Sequence, residues 1–305
     1  MRMGHCAGRA AHVKMGCVKS ISRHFLRRSL LRGVLLVGTA YALICFMLAF
    51  FQRSLIYIPM TDSPRTLEAW AGSQDMAPWT DDPAAPARGW FTRSSRPGTG
   101  LLMLHGNAGC ALHRTPILHR FQQANGIGPA LVMEYPGYGG RGREAPSEAA
   151  IMAEAVQAID AWAERTGGPV ILAGESLGSA FAAQAAALRP ERVRGLLLIT
   201  PMNRLRDVAA YHFPFFPVGW ILRERLDAEA ALQGTSIPLA LVLAEHDEVI
   251  PARLGRRLES VSNGPVRAWT IPGASHNTLS YQSGEGPWDE ALGFLLADGR
   301  AASVP

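Results

Sequence analysis

A serine lies in the motif Gly174-Glu175-Ser176-Leu177-Gly178, which has the form G-x-S-x-G. The apolar run VILA precedes the motif, and the helix-compatible run GSAFAAQAAAL follows it. This order predicts a sharp strand-to-helix turn that places the serine hydroxyl at a helix N-terminus, where amides and the helix dipole favour negative charge. The two glycines allow the strand and the helix to approach without Cβ clashes. The chemistry that this arrangement favours is nucleophilic attack by Ser176.

A serine hydroxyl needs a base that accepts its proton, and two later loops supply candidates. Asp247 follows the apolar run 239–244, and His276 follows the run 266–271. Both runs are predicted strands, and the C-terminal ends of parallel strands converge on one edge of a sheet. The chain order serine, aspartate, histidine is also one of the orders in which such triads occur. Asp207, after the preceding strand, is the alternative acid, and each residue taken alone could equally be an ordinary core or surface residue.

The loop His105-Gly106-Asn107-Ala108-Gly109 directly follows the first clear apolar run, 101–104. Its two glycines allow backbone amides to come close to a bound substrate. We expect the amides of Asn107 and Leu177 to form a pair of donors for the oxyanion that develops during acyl transfer. A phosphate-binding loop is the alternative, but this loop contains neither GK[ST] nor G-x-G-x-x-G.

Apolar runs alternate with helix-compatible runs from Gly100 onwards. The predicted strands are 101–104, 130–134, 170–173, 193–200, 239–244 and 266–271, and the clearest predicted helices are 146–165 and 176–188. Buried strands that alternate with helices are typical of a mostly parallel sheet with helices on both faces. The sequence therefore predicts an α/β fold whose sheet edge carries the candidate residues.

Residues 203–236 interrupt this alternation and are predicted to form a short helical cap over the C-terminal edge of the sheet. Apolar side chains crowd a 12-residue stretch of the cap: Tyr211, Phe213, Phe215, Phe216, Trp220, Ile221 and Leu222. We expect most of them to pin the cap to the body of the domain. Some of this dense set is expected to face an acyl pocket.

Charge is distributed unevenly along the chain. Residues 1–53 contain nine Lys or Arg and no Asp or Glu, whereas residues 54–305 contain 21 basic and 25 acidic residues. The mildly acidic body argues against a basic groove for nucleic acid. Beyond residue 53 the one cysteine is Cys110, so no internal disulfide can form there, and no Cys/His cluster has zinc-site spacing. We expect neither a metal nor a cofactor.

Residues 33–51 form an uncharged apolar run of 19 residues, which is nearly long enough to span a hydrocarbon core as a helix. The arginines before it predict a cytoplasmic leader at 1–32 and a membrane anchor at 33–51, with the catalytic domain on the periplasmic side. A signal peptide cleaved after Ala40-Tyr41-Ala42 and a buried core helix are the alternatives. Residues 52–87 are then predicted to be a proline-rich linker and N-terminal edge that is irregular over 54–87, and residues 88–300 the main domain.

Five segments, HGNAG, EYPGYGGRGREAPSE, GESLGS, AEHDEVIP and PGASHN, together resemble the α/β-hydrolase family. They look most like its single-anchor membrane branch, which is related to serine aminopeptidase-like and depalmitoylating hydrolase-domain proteins. FQRSLIYIP is similar too, so the likeness covers about residues 50–297. The resemblance implies an α/β-hydrolase fold with Ser176 as nucleophile, His276 as base and Asp247 as its orienting acid. Glu134 departs from the pattern, because many relatives carry Asp there.

The function expected from these features is a membrane-tethered serine hydrolase that cleaves an acyl ester or thioester through an acyl-enzyme intermediate. Its partners would be a small-molecule or lipid acyl substrate and the membrane, and not nucleic acid. A serine aminopeptidase-like amidase is the first alternative, since Glu175 beside the nucleophile could recognise an amine. A non-catalytic protein that binds a partner on the same fold is the second.

Overall fold

The computed structural model describes residues 12–93 and 96–299. The chain divides into two compact units, Met1–Phe50 and Phe51–Pro305. Within helix α1 (His12–Ile56), the 32-residue stretch Phe25–Ile56 contains an 18-residue window with a mean hydropathy of 2.4. By length and composition this stretch is able to cross a membrane, and it includes the predicted anchor.

In the part of the chain that is described, the second unit is built on an eight-stranded sheet. Its strands are β1 (Met76–Trp79), β2 (Gly89–Thr92), β3 (Thr99–Leu104), β4 (Ile127–Met133), β5 (Val170–Glu175), β6 (Val193–Ile199), β7 (Leu239–Ala244) and β8 (Val266–Ile271). They lie in the order β1-β2-β4-β3-β5-β6-β7-β8. The β1–β2 and β2–β4 pairs are antiparallel, and every pair from β4 to β8 is parallel. The prediction of a mostly parallel sheet is confirmed.

Helices cover both faces of this sheet. They are α2 (Pro64–Ser73), α3 (Thr115–Gln122), α4 (Glu148–Thr166), α5 (Leu177–Leu188), α9 (Ala252–Val261) and α10 (Trp288–Leu296), with α6 to α8 in the segment after β6. Successive residues of a strand point to opposite faces, so alternate strand residues join different cores. Leu102 and Leu104 pack with α4 and α5, whereas Leu101 and Met103 pack with α3 and α10.

Residues 52–87 contain more regular secondary structure than their proline content predicted. Ser63 caps α2 by accepting a hydrogen bond from the amide of Thr66 at 3.2 Å, and Pro64 occupies the first turn. Proline is favoured there because its missing N–H has no intrahelical acceptor anyway. The prediction of an irregular segment is therefore wrong for α2, and β1 follows directly as the edge strand.

The predicted cap segment, 203–236, contains three short helices: α6 (Leu205–His212), α7 (Val218–Ile221) and α8 (Ala228–Gln233). Leu205, Val208 and Leu232 pack into the core, so the segment is fixed to the body at both ends.

Candidate active site

Ser176 lies at the turn between β5 and α5. Its backbone has φ 52° and ψ −117°, a region that residues with a side chain rarely occupy. The Ser176 amide donates to the carbonyl of Ile199 at 2.9 Å, and its own carbonyl accepts from the amide of Ser179 at 3.0 Å. These bonds to β6 and to α5 hold the strained backbone conformation of the serine.

The glycines of the motif are required by packing. A Cβ on Gly178 would overlap the carbonyl oxygens of Leu104 and His105 at the end of β3. A Cβ on Gly174 would lie 2.6 Å from the carbonyl oxygen of Gly178. The first turn of α5 therefore sits directly against the loop after β3, which the sequence predicted to supply the second oxyanion donor.

The three residues of the predicted triad come together at the C-terminal ends of their strands. The Ser176 hydroxyl lies 2.9 Å from His276 Nε2, and His276 Nδ1 lies 2.7 Å from Asp247 Oδ2. The side chains of His276 and Asp247 are 7% and 2% exposed. A serine, an imidazole and a buried carboxylate in this order can transfer the hydroxyl proton to the imidazole.

The two candidate acids have different surroundings. Asp247 Oδ1 accepts hydrogen bonds from the amides of Val249 at 2.9 Å and Ile250 at 2.7 Å, which leaves Oδ2 to face the imidazole. Asp207 lies on α6 instead and forms an ion pair with Arg204 at 3.0 Å. The geometry therefore favours Asp247 over Asp207 as the partner of His276.

Glu175 ties the loop after β3 to the serine turn. Its Oε2 accepts from the amide of Gly106 at 3.1 Å and forms an ion pair with Arg114 Nε at 2.6 Å. This carboxylate is thus already neutralised by a guanidinium, so it is poorly placed to recognise the ammonium group of a peptide. The sequence alone did not indicate the partnership, because Arg114 lies 61 positions away.

Asn107 is held by residues from two other parts of the chain. Its Oδ1 accepts from the amide of Ile58 at 2.9 Å and from the hydroxyl of Tyr138 at 3.0 Å. The Met60 amide donates to the carbonyl of Gly109 at 2.8 Å, as part of a parallel β-bridge between Pro59 and Gly109. The segment just after α1 therefore braces the loop that carries Asn107, a role that the sequence analysis missed.

A buried polar pair lies beneath this loop. His105 stacks on Tyr135 at 3.9 Å between ring centroids, and its Nε2 is 3.7 Å from Glu134 Oε1. Burial, with a smaller contribution from Arg114, lowers the pKa of His105 to about 3, so the imidazole is neutral at pH 7 and the contact is not an ion pair. Burial raises the pKa of Glu134 to about 7.

Glu134 has room here because its neighbour is a glycine. Its Oε1 accepts from the amide of Ala111 at 3.1 Å, and a Cβ on Gly139 would overlap its carboxylate. Gly139 also has φ +54°, which favours glycine. The longer side chain in place of aspartate is thus accommodated, and it connects the strand end to the loop.

The apolar residues of the cap differ in how far they are exposed. Tyr211, Phe213 and Trp220 are exposed, and Leu222 is partly buried against the core. That some of this apolar set faces an acyl pocket stays a prediction. Among residues 12–93 and 96–299, no three His, Cys, Asp or Glu side chains are close enough together to hold a metal ion.

The family model described as "Alpha/beta hydrolase family" matches residues 101–270, which contain Ser176 and Asp247. This chain belongs to the alpha/beta hydrolase family. A relative from Mycobacterium tuberculosis strain H37Rv, described as "Uncharacterized protein Rv2307c", is 30% identical over 253 residues, which cover 80% of this chain and 87% of that protein. The resemblance inferred from the motifs is confirmed.

Named relatives match a shorter part of the chain. Lysophosphatidylserine lipase ABHD12 of Macaca fascicularis is 29% identical over 189 residues, covering 55% of this chain and 46% of that protein. Protein bem46 of Schizosaccharomyces pombe is 28% identical over 160 residues, covering 50% of this chain and 52% of that protein. The chain thus spans about half the length of these two relatives. Membership of the family, with a lipase among the relatives, supports hydrolase activity.

Solved structures confirm the fold. A structure described under the lipolytic enzymes LipS and LipT superposes with a TM-score of 0.53 at 19% identity and covers 69% of this alpha/beta hydrolase and 97% of that chain. MGS-MChE2, described as an alpha/beta hydrolase enzyme from a sediment metagenome, gives a TM-score of 0.53 at 16% identity, with 73% of this chain and 99% of that chain covered. At this identity the likeness concerns the α/β-hydrolase fold alone.

Proposed function

We propose that this protein is a serine hydrolase that cleaves an acyl ester or thioester. One observation carries the proposal: the unbroken hydrogen-bond chain from Asp247 through His276 to the hydroxyl of Ser176. Its three members come from three loops at one sheet edge, and the nucleophile sits on a strained strand-to-helix turn. An arrangement of this kind activates a serine that is inert by itself.

In the proposed first half-reaction, Ser176 Oγ attacks the carbonyl carbon of the substrate while His276 Nε2 accepts the hydroxyl proton. Asp247 accepts from Nδ1 and thereby keeps the imidazole in the tautomer whose Nε2 is free to act as a base. The carbonyl oxygen becomes an oxyanion that the amides of Asn107 and Leu177 stabilise. His276 then returns the proton to the leaving alcohol or thiol, and the acyl-enzyme remains.

In the second half-reaction a water molecule replaces the leaving group. His276 removes a proton from the water as it attacks the acyl carbon, and the same pair of amides holds the new oxyanion. Collapse of the intermediate breaks the bond to Ser176 Oγ, and the imidazolium protonates that oxygen. The products are a carboxylic acid and the free enzyme, with no cofactor required in any of these steps.

We propose a lipid acyl ester or thioester as the substrate class. The relative named as a lysophosphatidylserine lipase acts on such an ester, and the apolar stretch at 25–56 would hold the enzyme at a lipid surface. A serine aminopeptidase-like amidase remains the alternative, but the ion pair of Glu175 with Arg114 removes the carboxylate that such an enzyme would need for the substrate ammonium.

The substitution Ser176→Ala tests the nucleophile. In the full-length protein reconstituted in detergent or nanodiscs, we expect it to abolish both ester turnover and covalent labelling by a fluorophosphonate probe. Ser260→Ala is the matched control, because that exposed hydroxyl donates to a carbonyl within α9. A folded Ser176→Ala protein that still takes the label would overturn the assignment, and a wild-type protein that neither labels nor hydrolyses esters would favour the non-catalytic alternative.

A further inference from the structure

The end of α1 is joined to the cap by paired hydrogen bonds. Gln52, the residue directly after the uncharged run 33–51, donates from Nε2 to the carbonyl of Ile221 at 3.3 Å. Its Oε1 accepts from the amide of Arg223 at 2.7 Å. Gln52 is 4% exposed although it lies on the helix that the sequence predicts to be a membrane anchor. The cap segment thus contacts the residue that directly follows that run.

A buried carboxylate reinforces the same joint. Glu224 accepts from Arg53 Nε at 2.8 Å and from the Tyr57 hydroxyl at 2.9 Å, and its side chain is 3% exposed. It also accepts from the amide of Glu148 at the start of α4 at 2.6 Å. Because a buried carboxylate that loses its partners is costly, these bonds hold the cap, the helix end and the body together. The cap has little freedom to move away from the point where the chain leaves α1.

The cap segment that forms this joint carries exposed aromatic and basic side chains. We call the exposed residues Phe213, Trp220, Arg223 and Arg225 the cap tip. Trp220 is 93% exposed, although it lies one residue before Ile221, which Gln52 binds. Phe213 is 45% exposed, and both arginines are exposed. A large indole fully in water is unfavourable by itself, since tryptophan is usually well buried.

We propose that the cap tip docks on the bilayer that holds α1, with Trp220 in the interfacial region and Arg223 and Arg225 against anionic head groups. The proposal rests on the proposed membrane anchoring by 33–51. Tryptophan is enriched at membrane interfaces because its ring is apolar and its N–H is polar, and arginines near the surface bind acidic lipids. The joint at Gln52 and Glu224 supports the proposal, because within the second unit it ties the cap segment to residues 52–57, from which the chain would enter the membrane.

The docking has a consequence for the substrate. A cap held in the head-group region would keep the nearby catalytic edge close to lipids that lie in the same leaflet. An acyl ester that resides in the membrane would then reach Ser176 without crossing bulk water, whereas a water-soluble ester would gain nothing from the contact. Substrate delivery and soluble-ester hydrolysis should therefore respond differently to changes in the cap tip.

Fluorescence quenching by brominated phospholipids tests the contact. The full-length protein is reconstituted in vesicles of phosphatidylcholine with phosphatidylglycerol, with and without bromine on the acyl chains. We expect the bromine-dependent loss of tryptophan emission to shrink in Trp220→Phe and to stay at the wild-type level in Trp269→Phe, the matched control on β8. Replacing both arginines of the cap tip by glutamine should reduce quenching of Trp220, and raised salt should reduce it in the wild type.

Equal quenching in wild type and Trp220→Phe would overturn the proposal, because Trp220 would then lie outside the lipid and face water or another protein. This measurement needs no catalytic activity, so it remains decisive if the hydrolase assignment fails. Where activity is present, Trp220→Ser should raise KM severalfold for a lysophospholipid in vesicles. It should leave kcat/KM for p-nitrophenyl acetate within about twofold, since exposed substitutions rarely alter a distant site. Equal effects on both substrates would count against docking.

Discussion

At the scale of single residues, the two oxygens of the Asp247 carboxylate accept hydrogen bonds from different donors, and this supports Asp247 as the proposed acid. Asp247 uses Oδ1 for two backbone amides and Oδ2 for His276 Nδ1, so its orientation is held by the chain itself. Asp207 forms an ion pair with Arg204 and accepts a hydrogen bond from the side-chain amide of Asn203. The same residue type thus has two roles, and the difference lies in which donors each carboxylate meets.

The substitution Asp247→Asn should lower kcat by about 10⁴ while the protein stays folded, because the amide cannot keep the imidazole in the productive tautomer. Steady-state hydrolysis of p-nitrophenyl butyrate measures the effect. Asp207→Asn is the control and should retain most of the activity. The opposite pattern, with Asp207→Asn inactive and Asp247→Asn nearly silent, would mean that the acid is misassigned.

Glu134 gives a pH dependence of stability that can be worked out from its pKa. The folded-state pKa of about 7 lies above the ordinary value of 4.5, so between these values the folded protein holds a proton that the unfolded chain releases. The resulting stabilisation is fully present below about pH 4.5 and is lost as the pH rises through about 7. Above that pH a buried carboxylate is charged, with burial as the main cost.

The substitution Glu134→Gln should remove this dependence, because the amide is uncharged at every pH. The free energy of unfolding of the wild type relative to the variant should fall by up to about 3 kcal/mol between pH 5 and pH 8. Urea denaturation of both proteins at the two pH values measures it, and His105 titrates in both and so cancels to first order. A difference that does not change with pH would show that Glu134 is already charged at pH 5.

At the scale of elements, the loop after β3 is held from three sides. Glu175 binds the Gly106 amide from the serine turn, the residues after α1 bind Asn107 and Gly109, and Tyr138 binds Asn107 from the loop after β4. A backbone amide stabilises an oxyanion only if it is already oriented before the reaction. If the loop supplies the proposed oxyanion donor, the segment after the apolar helix acts as part of the catalytic scaffold as well as a tether.

Loss of the hydrogen bonds that hold Asn107 should lower kcat strongly and change KM only slightly. Asn107→Ala keeps the backbone amide but loses the acceptor for Ile58 and Tyr138, so we expect kcat to fall by about 10–100-fold, somewhat less than the loss of a whole oxyanion donor. KM should change by less than about threefold, since ground-state binding does not use the developing charge. Asn263→Ala, which removes a surface bond to Gln233, is the control. A pure KM effect would place Asn107 in substrate binding instead.

At the scale of the whole molecule, charge and hydropathy separate two parts of the chain. The first 53 residues are basic, contain no Asp or Glu and include the run 33–51, which lies in a stretch apolar enough to cross a membrane. The remaining residues are mildly acidic and form the hydrolase body. Positive residues are retained on the cytoplasmic side during insertion. The catalytic unit is therefore expected on the opposite side, which in a cell with two membranes is the periplasm.

Reporter fusions at residue 60, just after α1, test this topology. We expect alkaline phosphatase fused there to be active, because that enzyme folds only outside the cytoplasm, and β-galactosidase fused there to be inactive. The converse result would invert the orientation. An active phosphatase fusion that is found in the soluble fraction, and not in the membrane fraction, would instead indicate that the segment is cleaved as a signal peptide.

Local patterns in the sequence were sufficient for the strands from β3 to β8, for the serine turn and for the chain order of Ser176, Asp247 and His276. Apolar runs of strand length, the small residues of G-x-S-x-G and the polar residues at strand ends are all read within about ten positions. The same reading was wrong for α2, because a proline at the first turn of a helix resembles a proline in a loop.

Tertiary structure alone decided the partnerships between distant segments. The bond from Ile58 to Asn107 joins residues 49 positions apart, and that from Gln52 to Arg223 joins residues 171 apart. Whether Glu175 meets Arg114 or a substrate, and whether Trp220 faces a pocket or the surface, depends on how whole elements pack against each other. No periodic residue pattern in the sequence predicts such contacts, because hydrogen bonding and burial depend on distance in space and not on separation in sequence.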